Sequence, residues 1–161
     1  RDPVLREWFA GATADSGEVV NADAAMRVTT VYACVALIAE TVAALPLHVY
    51  RREADRTAKA TDHPLYRLLH DMARPGLTAF EWREGSVHNT CLRGDSFSRI
   101  VVNGRGDVVE LLPLNPERMR VLPGSARPVY EHHDEDGGKR LYRDDEILRI
   151  PYKMTDGISA V

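Results

Sequence analysis

The segment from Val28 to Arg52 most constrains the fold, because it joins a nearly uninterrupted apolar helix to an abrupt stop at Pro46. Proline lacks a backbone N–H and its ring clashes with the preceding turn, so a helix capped by Thr29 or Thr30 must end before it. Apolar side chains at helical spacing predict one buried face: Val31, Cys34, Val35, Ile38, Val42 and Leu45. After the proline, alternation over residues 47–50 predicts a half-buried strand, and the polar run from Arg51 to Thr61 predicts a turn or hairpin loop.

The opposite side of this helix is also poor in polar side chains. Tyr32 and Leu37 lie off the predicted buried face, and only Glu40, Thr41 and a few alanines dilute it. A helix that is apolar on all sides is normally covered on all sides. We therefore predict that Tyr32 and Leu37 contact a second surface, for which another subunit is a candidate.

Composition argues against two classes of protein. The chain carries 21 Lys and Arg against 24 Asp and Glu, without a basic stripe, which argues against a free-standing nucleic-acid binder. The longest uninterrupted apolar run, Val31 to Ala39, is shorter than the roughly 20 residues that span a bilayer, so we expect a soluble chain without membrane contact. Cys34 and Cys91 fall on apolar faces of predicted helices, which predicts buried, reduced thiols rather than a disulfide.

The remaining pattern predicts two more helices and then a series of strands. A short helix runs from Asp62, its N-cap, to His70, and a longer one from the capping box of Thr78 and Glu81 to Gly94. The face predicted to be buried on the longer helix is Phe80, Glu84, Val87 and Cys91. The predicted strands are 97–102 with 108–112, 119–122, 130–133 with 139–142, and 146–150, with Pro113 in a turn. This order predicts an α+β fold, with N-terminal helices followed by a largely antiparallel sheet of short strands and hairpins.

Six motifs occur in the same order as in the portal proteins of tailed bacteriophages and related phage-derived particles. They are TVYACVALIAETVAALPLHVYRR, DHPLYRLLH, LTAFEWREG, LRGDSFSRIV, GRGDVVELLPLNPERMRV and DDEILRIP. The chain resembles that family from about Ala25 to its last residue, and the helix-Leu-Pro-strand and Leu-Pro-Leu-Asn-Pro phrases are the most specific part. Residues 1–24 mix Gly, Ala, Asp and Ser with a short apolar cluster, which predicts an N-terminal arm. For residues 25–161 the resemblance implies a portal wing-like α+β domain, with the stem and clip regions of a portal absent.

The resemblance implies a structural role without catalysis or a cofactor. Portal proteins form a ring, typically of twelve subunits, at one capsid vertex, and double-stranded DNA passes through it without sequence-specific binding. The implied partners are identical subunits, the major capsid protein, the terminase large subunit and the head-tail adaptor. The implied location is the virion, after assembly in the cytoplasm of the host bacterium. The candidate subunit-interface residues are Tyr32 and Leu37 on the helix, with Trp8 and Phe9 in the arm.

Two other classes of function stay open on sequence alone. One is a monomeric adaptor that binds another protein through its exposed sheet. The other is a small metal-dependent hydrolase, because the cluster from His132 to Asp136 contains metal-ligand residue types. Adjacent histidines in a strand point to opposite faces, and Gly137 and Gly138 indicate an exposed turn, so a charged hairpin tip is favoured over a metal site. We assign no catalytic, cofactor-binding or metal-binding residue.

Overall fold

A computed structural model describes residues 21–53, 56–123 and 127–153 of the 161-residue chain. The helices are α1 (Ala22–Met26), α2 (Thr29–Ala44), α3 (Pro64–His70) and α4 (Ala79–Arg93). The strands are β1 (Tyr50–Arg52), β2 (Thr57–Lys59), β3 (Met72–Arg74), β4 (Leu77–Thr78), β5 (Asp95–Val102), β6 (Val108–Leu114), β7 (Met119–Leu122), β8 (Val129–His133), β9 (Lys139–Tyr142) and β10 (Ile147–Pro151). Every described strand pair is antiparallel, so the predicted α+β fold is confirmed.

The chain divides into two compact units, one from Arg1 to Leu37 and the other from Ile38 to Val161. In the first unit, the Asn21 side chain caps α1 by accepting a hydrogen bond from the Ala24 backbone N–H at 2.7 Å. Helix α2 begins at Thr29, and Tyr32 N already donates to Val28 O. The prediction of Thr29 or Thr30 as the cap is therefore wrong, because both lie inside the helix. Residues 1–20, with Trp8 and Phe9, lie outside the described residues.

The second unit contains two three-stranded sheets, with strand orders β10-β5-β6 and β7-β8-β9, and two hairpins, β1-β2 and β3-β4. The predicted hairpin of β5 and β6 is confirmed. Its turn forms because the Asn103 side chain accepts from the Arg105 and Asp107 backbone N–H groups, while Gly106 adopts a φ of +86°. Pro113 lies inside β6 rather than in a turn, which the edge position of this strand allows.

Two hydrophobic clusters hold the second unit together. One joins the two three-stranded sheets and consists of Phe97, Tyr130, Tyr142 and Ile147. The other packs α4 and β3 against β6 and consists of Ala73, Trp82 and Leu111. Strand β5 contributes to both, since Phe97 belongs to the first cluster and Ile100 packs against the second. Alternation along this strand therefore fixes the relative position of the two clusters.

The buried face of α4 differs from the predicted one. The capping box of Thr78 and Glu81 and the left-handed Gly94 at the helix end are confirmed. The buried residues, however, are Ala79, Trp82 and Ser86, whereas Phe80 and Cys91 are exposed and Glu84 and Val87 are half-buried. The prediction considered apolar side chains alone. Ser86 can be buried at a low free-energy cost, because its hydroxyl donates to Trp82 O at 2.8 Å. Cys34 is also exposed, so the prediction of two buried thiols is wrong.

The connection between α2 and α3 also differs from the sequence prediction. The strand expected over residues 47–50 is wrong, since β1 begins only at Tyr50. The run from Arg51 to Thr61, predicted as a turn or hairpin loop, contains most of the β1-β2 hairpin. The N-cap of α3 is His63, whose Nδ1 accepts from Leu65 N at 3.2 Å. Asp62 instead forms an exposed ion pair with Arg51 of β1 at 2.9 Å. The predicted end of α3 at His70 is confirmed.

Candidate subunit-interface surface

The buried face of α2 consists of small side chains. Val35, Ala39 and Ala43 are spaced four residues apart and are buried, at 8%, 1% and 0% exposure. The predicted face shares only Val35 with this set. At about 100° per residue, the buried face is rotated by about 90° from the predicted one. The bulky side chains Ile38, Val42 and Leu45, which were expected in the core, therefore lie on the surface.

Arg83 anchors the C-terminal end of α2. Its Nε and Nη2 donate to Ala43 O at 3.1 and 2.9 Å, and its Nη1 donates to Leu69 O at 2.6 Å. The last carbonyls of a helix lack partners within the helix and carry a partial negative charge, so one guanidinium satisfies the ends of both α2 and α3. Burial lowers the pKa of Arg83 from its ordinary value, and the side chain stays charged. This contact fixes which side of α2 faces outward.

Replacing Arg83 with alanine is expected to destabilise the second unit by about 1.5 to 3 kcal/mol, because two helix-end carbonyls lose a charged donor. Urea unfolding followed by circular dichroism measures the change. Arg67→Ala is the matched control, since Arg67 is an exposed arginine for which no side-chain hydrogen bond or ion pair occurs among the described residues. Equal stability of the two variants would show that the anchor contributes nothing.

Five large apolar side chains on or just after α2 are exposed, with exposed fractions between 42% and 67%: Tyr32, Leu37, Ile38, Val42 and Leu45. Helical geometry places Leu37 opposite the buried line of Ala39 and Ala43, whereas Tyr32 falls along that line toward the helix start. The two predicted interface residues on α2 are thus both exposed, but they do not share one face. We call Leu37, Ile38, Val42 and Leu45 the outer surface of α2.

The histidine and acidic cluster around His132 forms the tip of the hairpin of β8 and β9. Gly137 turns the chain with a φ of +80°, and Asp134 N donates to Gly138 O at 2.8 Å. His133 hydrogen-bonds the Glu131 carboxylate at 2.5 Å. This bond and the charge of Lys139 lower the pKa of Glu131 from its ordinary value, although desolvation acts in the opposite direction. Among the described residues, no group of three His, Cys, Asp or Glu side chains is arranged to hold a metal ion. The predicted charged turn is confirmed.

Comparison with known proteins places this geometry in a family. A family model described as phage portal protein matches residues 29–161, which includes α2 and every described strand. The chain belongs to the phage portal protein family. No helix within the described ranges is long and apolar enough to cross a membrane.

The relatives of this portal-family chain include proteins from phages and from a bacterium. The portal protein of Enterobacteria phage HK97 is 33% identical over 147 residues, covering 80% of this chain and 35% of that protein. Protein BeeE of Escherichia coli strain K12 is 35% identical over 101 residues, covering 63% of this chain and 64% of that protein. The probable portal protein of Streptomyces phage phiC31 is 32% identical over 157 residues, and the chain spans 34% of it. The chain therefore spans about a third of the length of both phage proteins.

Solved structures agree with the family assignment. The neck of an empty gene transfer agent (GTA) particle, computed with C6 symmetry, contains a chain that is 25% identical and matches 97% of this chain and 38% of its own length, with a TM-score of 0.66. An HK97-family phage portal protein from Corynebacterium diphtheriae is 11% identical with a TM-score of 0.55, covers 88% of this chain and 41% of its own length, and supports the fold alone. The portal fold is thus shared at low sequence identity.

Proposed function

We propose that this chain is the wing-like part of a portal subunit, which assembles into a closed ring at the capsid vertex of a tailed phage or a phage-derived particle. The observation that carries the proposal is the match of the portal family model over residues 29–161. The chain similar to it in the neck of the GTA particle belongs to a symmetric assembly. The domain expected over residues 25–161 corresponds to the wing, and the arm over residues 1–24 precedes it.

Ring formation needs two different complementary patches on each subunit, because a cyclic contact is heterologous. The outer surface of α2 is one candidate patch, since four large apolar side chains on or just after this helix are exposed. Isolated exposed apolar side chains are common, but several grouped on one element favour an interaction site. Tyr32, with Trp8 and Phe9 of the arm, belongs to the proposed contact as well.

The proposed ring acts as a conduit rather than as an enzyme. DNA passes through it during packaging and ejection, and the terminase large subunit, the major capsid protein and the head-tail adaptor bind to it. The chain has a net charge of −3, and its basic and acidic residues are interspersed without a basic stripe. It would therefore not hold DNA tightly, since tight binding requires neutralisation of many phosphates. The subunits assemble in the host cytoplasm and remain in the virion.

Negative-stain electron microscopy of the natural full-length protein, purified without other capsid components, tests the proposal. Rings with a central hole are the expected result. A protein that remains monomeric at high concentration, and also when its scaffold is supplied, would contradict the ring and support a monomeric adaptor.

Replacing Leu37 with aspartate in the full-length protein is expected to reduce the ring population by about tenfold or more, because an unpaired carboxylate at a dry interface costs several kcal/mol. Ring counts in micrographs give the result, and circular dichroism checks the fold. Leu141→Asp is the matched control, since Leu141 is a leucine of similar exposure, 61% against 67%, on a different element. If the Leu37→Asp protein still forms rings, Leu37 lies outside the subunit interface. If it unfolds, Leu37 is covered by residues of the same chain.

A further inference from the structure

A stack of three rings connects the segment before β1 to α3. The His48 ring lies parallel to that of His70 at a centroid distance of 4.9 Å and parallel to that of Tyr66 at 6.0 Å. Tyr66 and His70, four residues apart on α3, are themselves stacked at 5.0 Å. The Tyr50 ring meets His48 edge-on at 6.2 Å. Such ring contacts stabilise by dispersion and by quadrupole complementarity, so they hold the segment that carries His48 against α3.

The polar contacts of His48 set its protonation state. Lys59 Nζ lies 3.4 Å from His48 Nε2, and an ammonium has only protons to donate, so Nε2 accepts. The remaining proton of the neutral ring is then on Nδ1, which is buried and has no hydrogen-bond partner. A protonated His48 would place its charge beside Lys59 and against the His70 ring. Asp71, which follows His70 at the end of α3, accepts from His70 Nδ1 at 2.7 Å.

The β1-β2 hairpin depends on this stack for its position. All three residues of β1 are exposed, and a two-stranded hairpin alone is marginally stable in water. His48 lies two residues before Tyr50, the first residue of β1, and Lys59 is the last residue of β2. Ala60 N donates to Val49 O at 2.9 Å and closes the base of the hairpin. The Arg51 and Asp62 ion pair is exposed on both sides and contributes little.

We propose that the stack of His48, Tyr66 and His70 is an acid-sensitive latch, which holds the β1-β2 hairpin against α3 while His48 is neutral and releases it when His48 is protonated. Within the latch, the titratable groups that contact His48 are Tyr66 and His70 of α3. The titratable groups around the latch are Tyr50 of β1, Lys59 of β2 and Asp71 at the end of α3. Only Asp71 is acidic, and it contacts His70 rather than His48. The positive charge added at His48 is therefore not compensated.

The direction of the pH effect follows from linkage. Burial, then Lys59 and then His70 lower the pKa of His48 from its ordinary 6.5. The released hairpin, in which the ring is solvated, therefore binds the proton more readily than the latched one. The stabilisation is complete above the ordinary pKa, declines as the pH falls below it, and is lost below the lowered pKa of the latched state. The total change in the ratio of released to latched hairpin is about tenfold for each pH unit by which the pKa of His48 in the latched state lies below its ordinary value.

Hydrogen-deuterium exchange with mass spectrometry on the natural full-length protein, from about pH 7.5 to about pH 5, tests the latch across the range in which histidine titrates. After correction for the intrinsic pH dependence of exchange, protection of the peptide over residues 47–61 is expected to fall about tenfold per unit of pKa difference. The peptide over β5 and β6 is the internal reference and keeps its protection. Equal loss in both peptides, or no loss in residues 47–61, would overturn the proposal.

Two variants isolate His48. His48→Gln cannot be protonated, so protection of residues 47–61 is expected to become independent of pH, whereas the matched His88→Gln on α4 keeps the wild-type dependence. Retention of the pH dependence in His48→Gln would refute the latch. Should His48→Gln fail to fold, exchange of the imidazole C2 proton in the wild type and in Lys59→Met gives the pKa of His48 directly. The latch requires a pKa below 6.5 that rises when Lys59 is replaced.

Discussion

Replacing Trp82 with alanine is expected to destabilise the second unit by about 3 to 5 kcal/mol, the range for deleting a large aromatic side chain from a core. The Trp82 side chain is buried between α4 and β6 in the cluster with Ala73 and Leu111. Its Nε1 donates to Ser98 Oγ at 2.9 Å, and Ser98 is itself buried. Alanine would leave both a cavity and an unpaired hydroxyl, and urea unfolding of the chain measures the sum.

Trp82→Phe separates the two contributions. Phenylalanine fills most of the cavity but cannot donate, so about 1 to 3 kcal/mol is expected from the unsatisfied Ser98 alone. Adding Ser98→Ala to Trp82→Phe is expected to recover part of this loss, because neither polar partner then remains. If Trp82→Ala were no more destabilising than Trp82→Phe, the core around α4 would be loosely packed.

Replacing Arg149 with methionine is expected to destabilise the second unit by about 3 to 5 kcal/mol, because it leaves a buried carboxylate without its charged partner. Arg149 Nε and Nη2 donate to the two oxygens of Asp95 at 2.6 and 2.9 Å, which joins β10 to β5. The side chains are only 8% and 15% exposed, and the guanidinium lies 6.0 Å from the Phe97 ring centroid. Differential scanning calorimetry reports the loss as a lower melting temperature.

The double variant Asp95→Leu with Arg149→Met is the control for this pair. Removing both charges also removes the desolvation cost, so stability is expected to return to within about 1 kcal/mol of the wild type or to exceed it. A double variant as unstable as Arg149→Met alone would mean that packing of the arginine stem, rather than the ion pair, stabilises this junction.

The parts of the fold that the sequence predicts correctly depend on neighbouring residues. The capping box at Thr78 lies within four residues, and Gly94 and Gly106 need a left-handed backbone that glycine adopts without strain. The turn of the β5-β6 hairpin is likewise closed by Asn103 bonding its own neighbours. Such contacts are local and can be predicted from the sequence, except where neighbouring residues compete for one position, as Asp62 and His63 do for the cap of α3.

The incorrect predictions with the largest consequence concern which side of a helix is buried. On α2, the apolar residues form a broad surface, and periodicity alone favours the side with the largest side chains. The core instead takes Ala39 and Ala43, because the Arg83 guanidinium reaches Ala43 O from a helix forty residues later in the chain. No spacing rule reveals this contact. The interface residues Tyr32 and Leu37, predicted from the excess of apolar side chains, are exposed, and their contact with a neighbour stays a prediction.

The proline in the edge strand β6 has a consequence for how copies of this domain can crowd together. Edge strands expose unpaired backbone groups that recruit strands from other molecules, which is a common route to fibrillar aggregates. Pro113, paired in register with Ser98, has no N–H to offer, and the bulge at Val101 and Val102 further disrupts the ladder. A neighbouring molecule cannot extend this sheet continuously along β6. Many copies can therefore be concentrated around one axis with this edge protected against runaway sheet growth.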